Sequence, residues 1–487
     1  MGENSQGLLQ SAAEQDAAEN HDELSSDKDG LHEEGRDSPE DMQPMSMARL
    51  ICINMHALGY GLFYASVGVL VLPEEAINLW PTQHAIFLAV MLVIAGVTQL
   101  VSPAVGYVCD RTYTRMGRRL PFILGGNLVL FLCLGAMYLA RTYKFGWSYL
   151  LLLFIAVTAL NVAYTGYTGL ISDMVPPQQM GVGSGIMGGL TAFGAVFGLV
   201  LVTIVNVQGA YGIYAIAVLL TTPFTYFSAV EDCSCSQTPL PYVWKELRKS
   251  YWISHSSHGD FYYIFVSRTF YYMAVSIQIY IMYYLRDCMQ EDYVKADPDR
   301  YTALLCVISQ CAAGVVSTAS GPFSDRVGRR NSIYFSCFVM ALVYIGYCVT
   351  TTYAFVIGLG LVYGSSNGIY LAVDYALAVD CLPNKEDRAK DLALWGIAAF
   401  LGTMFGPCVT GPLLTSFGST EGTGPEDKGV HHYAFNGYVA VMCMGVVYSI
   451  LCGLFIMKVK KGNAPWDRDR VARDSESTEP TEAPGVV

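Results

Sequence analysis

The stretch that decides the fold is Gly106-Tyr-Val-Cys-Asp110-Arg111-Thr-Tyr-Thr-Arg115-Met-Gly117-Arg118-Arg119, which closes a long apolar run. A second copy stands 215 residues later as Gly321-Pro-Phe-Ser-Asp325-Arg326-Val-Gly328-Arg329-Arg330, shorter by four residues. Two further landmarks repeat in the same order. Asp173-Met-Val-Pro176 is matched by Asp380-Cys-Leu-Pro383, and Gly189, Gly194 and Gly198 are matched by Gly396, Gly402 and Gly406. All these offsets fall between 207 and 215, so the chain reads as two parallel copies of one unit. Parallel repeats of this kind form transporters whose substrate site lies between the halves.

Outward from these loops, the sequence resolves into apolar runs near 49–72, 83–108, 120–141, 147–172, 182–206, 210–230, 261–285, 302–323, 332–351, 353–381, 391–416 and 433–457. Each approaches the ~20 residues that a helix needs to cross a bilayer core. With 53% hydrophobic residues, 14% charged residues and a mean hydropathy of +0.36, the chain is far from the roughly one-quarter charged content of a soluble domain. The expected fold is an all-α membrane protein with twelve transmembrane helices in two pseudo-symmetric six-helix bundles. The first bundle occupies 48–230 and the second 261–457. The polar linker 231–260 carries Trp244-Lys245-Glu246-Leu247-Arg248-Lys249, an amphipathic surface helix by pattern.

The net charge of −12 is a property of one tail. Residues 1–47 hold 13 acids and 2 bases, whereas 48–457 hold 22 acids and 21 bases and 458–487 hold six of each. Both tails, 1–47 and 458–487, read as disordered and solvated. Loops on the side of the two repeated stretches contain thirteen Lys/Arg, among them Arg115, Lys245 and Lys385, against six in the opposite loops. That asymmetry predicts a multi-pass protein with both termini in the cytoplasm.

Other partners and compartments leave little trace. Most cysteines lie in apolar runs (Cys133, Cys306, Cys337, Cys348, Cys443, Cys452), and Cys288 is alone in the opposite loops, so a disulfide framework is not expected. Cys233-Ser-Cys235 reads as an incidental pair, with surface acylation as the second reading. No Asn-x-Ser/Thr sequon occurs, and no basic-then-apolar leader opens the chain. Leu8-Leu9 after Glu3 is one residue too distant for an acidic dileucine signal. No Walker loop, metal-spaced cluster or nucleophile–base pair is present, so no ATP, cofactor, metal, nucleic acid or enzymatic activity is expected.

The Asp-Arg…Gly-Arg-Arg loops resemble the signature loop of the major facilitator superfamily, over 48–457. The longer first copy, with Leu120-Pro121-Phe122 after it, is similar more narrowly to the sucrose-transporter and glycoside–pentoside–hexuronide symporter branch. The resemblance implies that spans 1, 4, 7 and 10 line a central cavity and that spans 2, 5, 8 and 11 meet across the halves. It also implies that Asp110, Arg111, Arg115, Arg118, Arg119 and Asp173, with Asp325, Arg326, Arg329, Arg330 and Asp380, form a latch that breaks when the halves rock. The expected pairing is Asp173 with 111–119 and Asp380 with 326–330; the plainer reading is that the arginines only set topology. Glycines on spans 5 and 11 suit either sliding or static packing.

Charges inside spans carry the mechanistic reading. Arg268 and Asp374 each fall on the order of 10 Å inside the basic boundary at ~1.5 Å per residue. An uncompensated charge there is expensive, so the two are expected to pair and to face the cavity. Asp374 then takes a proton when its partner moves; a permanent structural salt bridge is the alternative. His56, at offset 212 from Arg268, is the second proton candidate, or a satisfied bundle residue.

Tyr60, Tyr64, Tyr164, Tyr167, Tyr271, Tyr272, Tyr280 and Tyr370, with Asn161, Gln278 and Asn367, are the candidate substrate-binding residues, since aromatic faces and hydroxyls suit a sugar ring. An interfacial belt is the expected place of Tyr283, Tyr284 and Tyr433. The function expected is proton-coupled transport of a small polar solute, a sugar or glycoside, with sodium the lesser coupling ion. The rivals are another solute class in the same fold and a non-transporting membrane sensor.

Overall fold

The computed structural model describes residues 44–112, 114–176, 179–229, 259–381, 388–418 and 430–460. Leu8-Leu9, Cys233, Cys235, the stretch 244–249, most of both tails and most of the linker lie outside the described residues. Among the described residues nine helices are long and apolar enough to cross a membrane. One of these, Met180–Ser228, is too long for a single crossing: 49 residues span ~74 Å against a bilayer core of ~30 Å. It folds back at Asn206, whose φ of 62° and ψ of 168° turn the chain. This is an uncommon backbone conformation for a residue other than glycine, and this one residue replaces the short loop expected at 207–209.

The membrane helices are α1 Met47–Leu79, α2 His84–Asp110, α3 Leu120–Thr142 and α4 Gly146–Met174. The pair α5 (180–205) and α6 (207–228) follows. In the second half α7 runs 260–288 in three pieces. Then come α8 Pro298–Val327, α9 Arg329–Tyr347, α10 Tyr353–Asp380, α11 Arg388–Gly418 and α12 Phe435–Ile456. The chain is thus an all-helical protein of twelve membrane helices in two pseudo-symmetric six-helix bundles. Two of them, α7 and α9, fall short in hydropathy because α7 carries Arg268, Gln278 and several tyrosines, and α9 opens on Arg329-Arg330-Asn331.

The repeat extends to irregularities. α1 has a π turn at Val67–Val71 and α7 a 3₁₀ turn at Ser276–Tyr280, at an offset matching the sequence repeat, and the two turns touch across the seam between the halves. In α1 the cause is local. Pro73 has no N–H for the carbonyl of Val69, and the wider turn absorbs the missing bond. The helix then continues to Leu79, seven residues beyond the expected end at 72.

Glycines set how closely helices approach. A methyl group on Gly61, Gly194 or Gly198 would overlap the partner backbone between α1 and α5. In the second half Gly402 and Gly406 of α11 stand the same way against Thr269, Tyr272, Met273 and Ser276 of α7. These aligned glycines therefore pack helices within each half, as small residues do in membranes. The seam itself is built by α2 on α11, where Gly96 meets Met404 and Gly411 meets Ala85 and Ala89.

Among the described residues, a methyl group on Gly185, Gly188 or Gly189 of α5, Gly314 of α8 or Gly396 of α11 would meet no atom within 4 Å. The hydrogen bonds that join the halves, from Tyr283 to the Pro73 carbonyl and from the His431 amide to that of Pro81, lie at the end opposite the repeated loops; the loop side is the basic end. Large apolar side chains such as Leu128, Leu132, Phe335, Phe338 and Ile345 are exposed on outer helix faces. Such a surface is stable only against lipid.

Candidate functional site

Deep in α7, Arg268 forms an ion pair with Asp374 of α10. Both residues are buried, at 6% and 1% exposure. The guanidinium also lies over two rings. Its carbon is 3.4 Å from the centroid of Trp395 on α11 and 4.8 Å from that of Tyr272, and Arg268 Nη2 donates to the Tyr272 hydroxyl at 3.4 Å. Trp395 was not among the residues singled out from the sequence, although the chain holds only six tryptophans. A buried charge pair in a low-dielectric site is costly to break: removing one partner leaves an uncompensated charge worth about 3–5 kcal/mol.

The facing wall in the first half is an aromatic ladder. Tyr60 stacks on Tyr164 at 3.9 Å and on Tyr64 at 5.6 Å. Tyr64 is 45% exposed although it sits mid-helix, which is what an open cavity produces. Gln99 of α2 donates to its hydroxyl at 3.4 Å, and Tyr272 lies within electrostatic reach across the seam. Tyr64 and Tyr272 thus approach each other across the seam, with Tyr60 and Tyr164 stacked behind Tyr64 and with Arg268, Asp374 and Trp395 behind Tyr272.

The remaining residues expected there face their own bundles. Tyr271 and Tyr370 stack face to face at 3.3 Å, both fully buried, and Tyr271 donates to Asn367 Oδ1 at 2.7 Å. Asn161 is used on Thr98 at 3.2 Å and Tyr167 on Asn54 at 2.6 Å. Tyr280 packs against Gly411, and Gln278 interacts with Tyr344 inside the second half. His56 faces a small cavity inside the first half, beside Asn127, Tyr214 and Thr221, with Tyr167 5.0 Å away. Both of its ring nitrogens are buried, without a hydrogen-bond partner among the described residues. Helical spacing assigns these residues to inward faces, but an inward face of a bundle helix meets either its neighbours or the cavity.

At the basic end, Asp173 at the foot of α4 receives Arg118 at 2.8 Å and Arg119 Nε at 3.0 Å, and Arg119 also pairs with Asp110. Burial works against the Arg119 charge, but Asp173 and Asp110 outweigh it and raise its pKa above the ordinary value. Gly169 makes room for this side chain, since a Cβ there would come 2.8 Å from Arg119 Cζ. Arg111 lies over the Tyr107 ring at 3.6 Å, and Arg115 is exposed. In the second copy Arg329 donates to the Ala376 carbonyl at 3.0 Å and Arg330 to that of Val459 at 2.9 Å, while Arg326 is exposed. The side chains of Asp325 and Asp380 lie outside what the structure describes. The contacts named here stay within one half.

The opposite end holds polar clusters that the loop reading missed. Glu75, fully buried, pairs with Arg141 and accepts from Tyr211 at 3.0 Å. Asp287 accepts from Arg286 at 2.7 Å, His432 at 2.8 Å, the Tyr433 amide at 3.1 Å and the Tyr438 hydroxyl at 2.6 Å. Tyr283, Tyr284 and Tyr433 are buried here rather than forming a lipid-facing belt. Tyr283 donates across the seam to the Pro73 carbonyl at 2.9 Å. The described cysteines, Cys288 included, are free thiols, and no group of three or more metal-ligating side chains forms among the described residues.

Comparison with known proteins agrees with this architecture. A family model described as Major Facilitator Superfamily matches residues 43–199 and 264–483, more than half of the chain. Among solved structures, a mutant of the nucleoside transporter NupG is similar at a TM-score of 0.66 and 12% identity, over 85% of this chain and 100% of that one. The peptide transporter POT in complex with sulfate is similar at 0.63 and 10% identity, over 89% and 98%. A bacterial homolog of the human lysosomal transporter Spinster, in an inward-facing and occupied conformation, is similar at 0.57 and 13% identity, over 85% and 96%. At these identities the structures speak for the fold; the family match speaks for the chain. It belongs to the major facilitator superfamily.

Proposed function

We propose that this major facilitator transporter moves a small polar organic solute, a sugar or glycoside, by proton-coupled alternating access. The observation that carries the reading is the buried Arg268–Asp374 pair with Trp395 and Tyr272 around the cation. A carboxylate paired, among the described residues, with one arginine changes its proton affinity when that arginine is drawn to substrate. The ladder Tyr60–Tyr64–Tyr164 on the facing wall offers ring faces and hydroxyls, the combination that suits a solute with an apolar face and many hydroxyls. The basic end faces the cytoplasm by the loop-charge rule, so the arrangement described here opens inward. His56, enclosed in the first half, is a secondary proton site.

One neighbour in fold carries nucleosides by its description, and a nucleoside is itself an N-glycoside. The substrate panel therefore includes monosaccharides, disaccharides, aryl glycosides and nucleosides. The deciding experiment is uptake of these labelled solutes into proteoliposomes under an imposed pH gradient, repeated with a sodium gradient. Uptake that needs the proton gradient and is lost in Asp374→Asn supports the reading. Transport of only peptides, organic anions or lipids would remove the sugar assignment, and full activity in Asp374→Asn would remove the coupling role.

A further inference from the structure

At the sealed end, the first residue of α2 touches the second half directly. His84 is fully buried. Its Nδ1 lies 3.0 Å from the carbonyl of Pro81 and its Nε2 lies 3.3 Å from Arg286 Nη2 of α7. A carbonyl only accepts and a guanidinium only donates, so the two contacts together fix the ring. Nδ1 carries the hydrogen, Nε2 accepts, and the imidazole is neutral.

The bond between His84 and Arg286 sits at the centre of the seal. Arg286 Nη2 also donates to Asp287 Oδ2 and to the His431 carbonyl, each at 3.2 Å. The His431 amide in turn donates to Pro81 at 3.0 Å, across the seam. The groups that face His84 are Arg286, Asp287 and Tyr283 from α7 and His431 and Tyr433 from the segment before α12. Glu74 of α1 interacts with Arg286 from the first half, and Asp299 of α8, whose carboxyl burial and Glu74 push up to about 7, does so from the second; Asp299 is unchanged in the His84 variants. Tyr283 meets the imidazole edge-on with ring centroids 4.7 Å apart, and Tyr433 meets it at a tilt at 5.0 Å. A proton on Nε2 would aim one N–H at another and set two cations side by side.

We propose that His84 is a proton sensor of the sealed end: the seal closes only around the neutral imidazole, and protonation releases the two halves there. The inference rests on the alternating-access reading only in requiring that this end opens; it is independent of the substrate. Its sign follows from linkage. An imidazole freed into water titrates near pH 6.5, whereas the closed arrangement accepts only the neutral form. Acid therefore favours the open form, and the closed-to-open ratio falls about tenfold between pH 7.5 and pH 5.5.

The test places a keto-bearing unnatural amino acid at Ser148 and Lys295, both exposed at the sealed end, and labels the pair with hydroxylamine nitroxides. Distance distributions are recorded on the full chain in nanodiscs at the two pH values, without substrate. The expected result is an acid-induced shift to longer distances of about tenfold in population ratio. It vanishes in His84→Gln, whose amide oxygen accepts from Arg286 but binds no proton, and it persists in His432→Gln. His84→Arg is expected to show long distances at both pH values. An unmoved wild type, or a His84→Gln variant that still shifts tenfold, overturns the proposal. Because the readout needs no solute, a protein that opens with acid but carries no sugar would sink the substrate reading and leave this one standing.

Discussion

Arg268 lies over the ring of Trp395, with the guanidinium carbon 3.4 Å from the ring centroid. The cation that pairs with Asp374 is therefore held by an indole from a third helix. A desolvated cation–π contact contributes about 2 kcal/mol, so Trp395→Ala is expected to lower stability by that order and Trp395→Phe by less. Thermal unfolding in nanodiscs checks the ranking, and a Trp395→Leu variant as stable as Trp395→Phe would argue that packing alone matters.

Asp374→Asn leaves Arg268 buried without its counter-charge and is expected to cost about 3–5 kcal/mol. The double variant Arg268→Gln, Asp374→Asn removes both charges and is expected to regain most of that stability. It should still lack proton-driven uptake. If the double variant recovered both stability and coupled uptake, the pair would be a structural salt bridge and nothing more.

Glycines that align in the repeat separate into two kinds. Gly194→Ala and Gly402→Ala drive a methyl into the backbone of α1 and α7, and overpacking of this kind costs about 1–3 kcal/mol. Gly189→Ala and Gly396→Ala meet open space and are expected to fold like the parent. Size-exclusion profiles and melting temperatures of the four variants give the comparison.

Among the tyrosines, position relative to the seam predicts which property changes. Tyr64→Phe and Tyr272→Phe are expected to raise KM for the solute several-fold with little change in melting temperature. Tyr271→Phe removes the bond to Asn367 inside the second half and is expected to cost about 1 kcal/mol of stability with KM unchanged. Transport kinetics beside thermal unfolding distinguish the two classes.

Asp287 collects four donor residues around one carboxylate. Asp287→Asn keeps the shape but loses the charge that holds Arg286 and His432 together. It is expected to shift the label pair at Ser148 and Lys295 toward long distances already at pH 7.5. A distribution identical to the parent's would show that the seal is held by apolar packing.

Much of this arrangement was legible in the sequence because membrane helices announce themselves by length and because the repeat fixes their pairing. The Arg268–Asp374 pair was legible for a related reason: charges inside apolar runs are rare and must find each other. Other parts were hidden by the same logic. Pro73-Glu74-Glu75 reads as a loop, yet α1 continues through it because Arg141 neutralises the buried Glu75. His84 and Asp287 stand at helix ends, where a polar residue carries no surprise until the halves are seen to meet there. Tyr271 and Tyr370 share the helical spacing of cavity residues, and only packing reveals that they spend their faces on each other.

The turn at Asn206 has a mechanical consequence. A connection one residue long has no slack, so at that end α5 and α6 cannot slide past each other or draw apart as loop-joined helices can. A displacement of α5 along its axis is therefore handed to α6 with no lost motion.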